Sequence, residues 1–133
     1  MTSAYETILA RADHEAQTTA DAEETFVVGE CQYDGAVTEV TLIPAENLAA
    51  DATNFRTFTV VNTGGDATDK VIIATLTTDT DAWVKGNEIK LTLSTELDAL
   101  NVIANDVLGC VETVDGTGAT HPAFQVTVKG RRN

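Results

Sequence analysis

In the run Phe124–Lys129 (FQVTVK), Phe124, Val126 and Val128 alternate with Gln125, Thr127 and Lys129. A period of two cannot give an apolar stripe on a helix. It gives a strand with one dry and one wet face. The run Glu88–Ser94 (EIKLTLS) repeats the pattern, with Ile89, Leu91 and Leu93 on one side and Glu88, Lys90, Thr92 and Ser94 on the other. Strands wetted on one side belong to antiparallel sheets that pack face to face. Five more runs have strand composition: Thr25–Gln32, Ala36–Ile43, Phe55–Asn62, Lys70–Thr77 and Asp106–Val114. Turn signals separate them, among them Asp34-Gly35, Pro44, Gly64-Gly65-Asp66 and Gly86-Asn87. About seven short strands in a chain sized for one domain predict an all-β fold, a single antiparallel β-sandwich of jelly-roll or Greek-key kind. Thr95–Ile103 reads as a helical turn or an extended crossover of the kind such folds require. The expected core is Phe58, Val60, Ile89, Leu91, Leu93, Leu108, Phe124, Val126 and Val128.

Residues 1–24 have a different character, so the expected division is an N-terminal acidic arm over 1–24 and a sandwich domain over 25–133. The arm sets Glu6, Asp13, Glu15, Asp21, Glu23 and Glu24 against Arg11 alone. Tyr5, Ile8 and Leu9 fall on one face of a short helix over Tyr5–Ala16, and Ser3 with Glu6 has the spacing of a capping box. Gln17–Asp21 reads as a linker. The arm is either a frayed terminus or a segment that folds against a neighbour, with Tyr5, Ile8 and Leu9 as apolar anchors.

The net charge of −13 and pI near 4.2 disfavour nucleic acid and anionic membrane surfaces as partners. The charge suits solubility and docking on a surface rich in Lys and Arg. No basic and apolar leader is visible at the N-terminus. Three of the eight basic residues close the chain, and Arg131 and Arg132 could tether an acidic neighbour. The only two cysteines, Cys31 and Cys110, both lie in strand-like runs, where they read as reduced, buried side chains.

Chemistry is hard to assemble from this sequence. The candidate bases are His14, in the arm, and His121, in the Gly-rich loop before Pro122, where solvation is the ordinary outcome. Two separated Cys and two separated His lack zinc-ligand spacing. Asp79 and Asp81, with Asp69 nearby, suggest a calcium loop, but its sixth and twelfth positions would be Val84 and Lys90 where glycine and glutamate are needed. Asn62-Thr63-Gly64-Gly65 and Gly116-Thr117-Gly118 lack the spacing of phosphate loops. Trp83, in a polar loop, either caps the sandwich or stacks on a sugar. No catalytic, cofactor-binding or metal residue is therefore expected. The partner-contact candidates are Tyr5, Ile8, Leu9, Trp83, Arg131 and Arg132.

Four segments, in order, resemble the capsid decoration (cement) proteins of tailed bacteriophage heads. They are Val37-Thr38-Glu39-Val40-Thr41-Leu42-Ile43-Pro44, then Asn54–Gly64 (NFRTFTVVNTG), then Leu91-Thr92-Leu93-Ser94 with the Asp106-Val107-Leu108 strand, and finally Gly116-Thr117-Gly118 with Pro122. The resemblance covers about Gly29 to Lys129. It departs from the family pattern at Asn105, where glycine is usual, although asparagine tolerates the same left-handed turn. It implies a non-enzymatic virion protein, made in the host cytoplasm. Such a protein binds the outer surface of the head and cross-links major capsid protein subunits, commonly as a homotrimer. A sugar- or surface-binding β-sandwich module, such as a head fibre or receptor-binding domain, is the alternative. A concave site presenting Trp83 would favour it.

Overall fold

The computed structural model of the chain describes residues 6–64 and 71–132. Ten strands follow in order: β1 (Glu6–His14), β2 (Glu24–Glu30), β3 (Gly35–Pro44), β4 (Phe55–Asn62), β5 (Val71–Thr77), β6 (Ile89–Lys90), β7 (Thr92–Leu93), β8 (Asn101–Val102), β9 (Val107–Asp115) and β10 (Phe124–Arg132). One sheet has the order β1-β10-β3-β6, with β8 also paired to β3. The other runs β2-β9-β4-β5-β7. Every pairing is antiparallel.

The topology is a jelly roll. β1 pairs β10, β2 pairs β9, β3 pairs β6 and β8, and β4 pairs β5, as in one long antiparallel ribbon folded back on itself. The ribbon closes when β10 pairs β3 and β9 pairs β4. That wrapping divides eight strand positions into two facing sheets. Their inner faces meet in a core containing Phe58, Val60, Leu108, Phe124, Val126 and Val128, all buried, with Leu91 beside them. Ile89 and Leu93 are only half-buried but pack against that core.

Two expectations are corrected. Residues 6–14 form a strand of the first sheet, not part of a helix or a separate arm. His14 pairs Phe124 and Glu6 pairs Arg131, so β1 follows nearly the whole of β10. The adjacent Ile8 and Leu9, expected with Tyr5 on one helical face, instead mark an irregularity in the ladder. Ile8 pairs Lys129 and Ala10 pairs Val128, leaving Leu9 as the extra residue. Leu9 and Ala10 therefore both turn inward, whereas Ile8 stays 46% exposed. The capping Ser3 and the anchor Tyr5 lie outside the described residues.

The run Glu88–Ser94 is also not one strand. Ile89 and Lys90 pair with Leu42 and Thr41 of β3. Thr92 and Leu93 pair with Thr75 and Ala74 of β5. The chain changes sheets at the buried Leu91, whose N–H reaches the Val40 carbonyl at 2.9 Å. The alternation survives the switch because Ile89 lies opposite the inward Leu42 of β3 and Leu93 opposite the inward Ala74 of β5. The stretch after it supplies no helix, only the two-residue strand β8 on β3. Asn105 does adopt a left-handed turn, with φ of 77°.

Candidate functional site

The loops at one end of the roll bring together groups more than a hundred residues apart in sequence. β1 lies in one sheet and β2 in the other, so residues 15–23 must cross between them. The β9–β10 loop crosses beside it, and Gln17 and His121 exchange both backbone hydrogen bonds at 3.0 Å. Gly118 permits the approach: its φ is 74°, and a Cβ there would stand 1.9 Å from the Ala20 carbonyl oxygen.

Arg56, inward-facing on β4 and fully buried, fixes both crossings. Its Nη1 donates to Ala22 O at 2.7 Å, its Nη2 to Thr19 O at 3.0 Å and Ala20 O at 3.3 Å, and its Nε to Ala119 O. The planar guanidinium, with five donors, is suited to collecting several carbonyls at once. The sequence assigns Arg56 only to a strand, although the period of two puts it on the face of Phe58 and Val60.

Next to Arg56 lies a carboxylate–histidine cluster. Glu112 comes from β9, His14 from the end of β1 and His121 from the crossing loop. One ligand atom from each falls within 4.8 Å of the others. His121 Nε2 is 2.6 Å from Glu112 Oε1, His14 Nε2 is 3.1 Å from Glu112 Oε2, and Arg56 Nη1 is 3.7 Å from Glu112 Oε1. Glu24, at the start of β2, places Oε2 2.6 Å from His14 Nε2. Gln17 Nε2 donates to the other oxygen of Glu24. Burial alone would raise the Glu112 carboxyl pKa. The positive charges of the adjacent His121, His14 and Arg56 outweigh it and hold that pKa below the usual range. The expectation that His121 would be solvated is corrected, since it is buried beneath the bridge with Gln17.

An aromatic cluster seals the inner side. His14 stacks on Phe26 at 4.1 Å, and Phe58, Trp83 and Phe124 pack on one another with centroids 5.4 to 5.9 Å apart. Trp83 is only 2% exposed. It lines a 560 Å³ cavity with Asp81, Glu88 and Lys90, but its ring packs against Phe58 and Phe124 and presents no open platform. Asp79, considered for calcium, accepts a hydrogen bond from the Thr77 hydroxyl. The other contact candidates are scattered. Leu9 is in the core, Ile8 is on the edge strand, and Arg131 and Arg132 end β10, with Arg132 4.8 Å above the Tyr33 ring.

The two outer faces of the sandwich differ sharply. On the β1-β10-β3-β6 sheet Lys129 is paired with Glu39, and Arg11, Thr127, Thr41 and Lys90 form a partly charged row. On the other sheet one row reads Thr25, Val111, Thr59, Thr75 and Thr92. A second reads Val27, Gly109, Val61 and Ile72, and a third Thr113, Thr57 and Thr77. None of these side chains is charged. Val27 is 65% and Ile72 53% exposed. Sequence inspection registered the threonines as strand formers but could not align them, because the rows exist only once the strand registers are set.

No protein-family model matches the chain, and no curated protein is similar to it at a significant level.

Proposed function

We propose that this chain is a non-enzymatic virion structural protein of the bacteriophage capsid decoration kind. It docks on the outer surface of an assembled head, cross-links major capsid protein subunits and associates as a homotrimer. The observation that carries the reading is the uncharged threonine–valine face. On a chain of charge −13, three adjoining rows without a charged side chain are the surface that can approach a partner or another copy with the least repulsion and desolvation. The acidic groups then fall at the rim, with Glu30 at one end of β2 and Glu23 just before the other. A rigid roll with such a face can bridge several subunits, and many copies multiply a modest interface free energy.

The sugar-binding alternative loses its main support because Trp83 is packed under other rings and offers no stacking surface. His121 and Glu112 are closed off from solvent and only His14 is partly exposed, which favours a structural role over catalysis.

The test is co-sedimentation with purified undecorated heads, with occupancy read by cryo-electron microscopy, and sizing of the free protein by light scattering. Thr59→Glu and Thr75→Glu should leave the circular dichroism spectrum unchanged and abolish head occupancy or trimer formation. Unchanged occupancy and oligomeric state in both variants would remove this face from the interface. Failure of the unaltered protein to bind heads would defeat the decoration reading itself.

A further inference from the structure

We infer that His14, His121 and Glu112, with Glu24 beside His14, form a binding site for one divalent first-row metal ion of the zinc type, closing one end of the roll. The argument starts from the tautomer of His121. Its Nδ1 lies 2.8 Å from the Pro122 carbonyl oxygen, which can only accept, so Nδ1 carries hydrogen. In a neutral ring the free lone pair is then on Nε2, which points into the cluster 2.6 Å from a carboxylate oxygen. Two lone pairs do not face each other at that distance unless a positive species lies between or beside them.

A proton would need a directed hydrogen bond. Although the atoms are close, Glu112 Oε1, Glu112 Oε2 and His121 Nε2 are buried without a hydrogen bond of acceptable geometry. His14 Nε2 makes a hydrogen bond to Glu24 Oε2 at 2.6 Å and also lies 3.1 Å from Glu112 Oε2. Glu112 and His121, which converge without bonding to each other, leave lone pairs that a cation off the nitrogen–oxygen line can accept, with His14 turning from Glu24 to join them.

The donor set is chemically specific. Two imidazole nitrogens with one carboxylate suit Zn²⁺, Co²⁺ or Fe²⁺ better than Ca²⁺ or Mg²⁺, which prefer oxygen throughout, and leave a fourth position for water. Ligand atoms about 2.0–2.2 Å from a tetrahedral ion lie about 3.3 Å apart. The contacts of 2.6 to 3.1 Å therefore need to spread by a few tenths of an ångström, within the reach of side-chain rotation. The outer support is also present. The Pro122 carbonyl fixes the His121 ring, and Glu24, itself held by Gln17, lies against His14, the kind of neighbour that orients metal ligands. With neutral imidazoles, Glu112 and Glu24 against Arg56 leave one negative charge, and a divalent ion reverses it to one positive. An entry route exists, since the side chains of His14 and Glu24 are 17% and 35% exposed while those of His121 and Glu112 are closed off.

Such an ion would join three segments, β1, β9 and the β9–β10 loop, and so tie both sheets together where Arg56 already secures the crossings. This is a stabilising centre, independent of whether the chain decorates a head.

The test uses the full chain, stripped with chelator and titrated with Co²⁺ and with Zn²⁺ at pH 7.5. One Co²⁺ per chain should bind with the intense visible bands of four-coordinate nitrogen–oxygen ligation, Zn²⁺ should displace it, and Tm should rise. His14→Gln and Glu24→Gln, both at partly exposed positions, should fold as the parent does and bind at least about tenfold more weakly. His121→Gln should lose the visible bands. Absence of saturable uptake by the parent chain overturns the inference. So does parent-like affinity in His14→Gln, which would place the ion elsewhere on the acidic surface.

Discussion

Arg56 Nη1 donates to the carbonyl oxygen of Ala22 across 2.7 Å, so a charge entirely inside the sandwich is committed to holding the crossing between its first two strands. Its other donors reach Thr19, Ala20 and Ala119, and Glu112 is its nearest carboxylate. Arg56→Leu would orphan the Ala20, Ala22 and Ala119 carbonyls and leave Glu112 without a fixed cation. The expected loss is about 3–5 kcal/mol in urea denaturation. Arg56→Lys should recover little of it, because one ammonium cannot span carbonyls on two loops. A loss below about 1 kcal/mol in Arg56→Leu would show that the crossings are held by something else.

The fate of β1 gives a second prediction. If residues 1–20 were an appended arm, deleting them would leave the sandwich intact. In the jelly roll they include the strand that covers one edge of β10 and carries Leu9 and Ala10 into the core. Deletion should therefore abolish cooperative unfolding or lower Tm by tens of degrees, with loss of dispersed amide resonances. A truncated chain melting within a few degrees of the parent would restore the arm reading.

The parts of the fold legible in the sequence are those where side-chain alternation and a local turn agree. Phe55–Asn62 has the same limits in sequence and structure, because a loop precedes it and Asn62-Thr63-Gly64 ends it. β10 was read three residues short, since Gly130, Arg131 and Arg132 look like a tail until Ala36 and Gly35 are found opposite Arg131 and Arg132. β1 was misread because an inserted residue at Leu9 breaks the period of two and imitates a helical face. The end cluster was not legible at all. His14, Glu24, Glu112 and His121 have no motif spacing, and only the wrapping of the ribbon brings them together. The uncharged face was hidden for a related reason: each strand contributes two or three ordinary residues, and the surface they make depends on cross-strand register.

Two glycines with left-handed backbone should separate conformational from packing cost. Gly86 has φ of 76° with no atom within 4 Å of an added Cβ. Gly118 has φ of 74°, but an added Cβ would meet the Ala20 carbonyl oxygen at 1.9 Å and Val114 at 3.1 Å. Gly86→Ala should cost about 1–2 kcal/mol from the backbone alone. Gly118→Ala should cost at least twice as much, because the two crossing loops must part. Equal costs by chemical denaturation would mean that the loop contact contributes nothing.

The last prediction concerns Cys31 and Cys110, both buried and unpaired. Burial pushes the Cys31 thiol up to about 11, with Asp106 and Glu30 adding to it, and burial pushes Cys110 up to about 12, with Glu112 adding to it. Raised values mean that the folded chain keeps both protons after the unfolded chain has released them near pH 9. The thiols' contribution to stability is therefore complete below about pH 9 and is lost as pH rises through 11 to 12, by at most about 1.4 kcal/mol per pH unit for each thiol. Denaturant midpoints measured at pH 8, 9 and 10 should fall more steeply for the parent chain than for Cys31→Ala/Cys110→Ala, in which these two ionisations are absent. A disulfide reagent at pH 8 should find both thiols slow to react until the chain unfolds. Parallel pH profiles for parent and double variant would show that the two side chains are not enclosed as the fold places them.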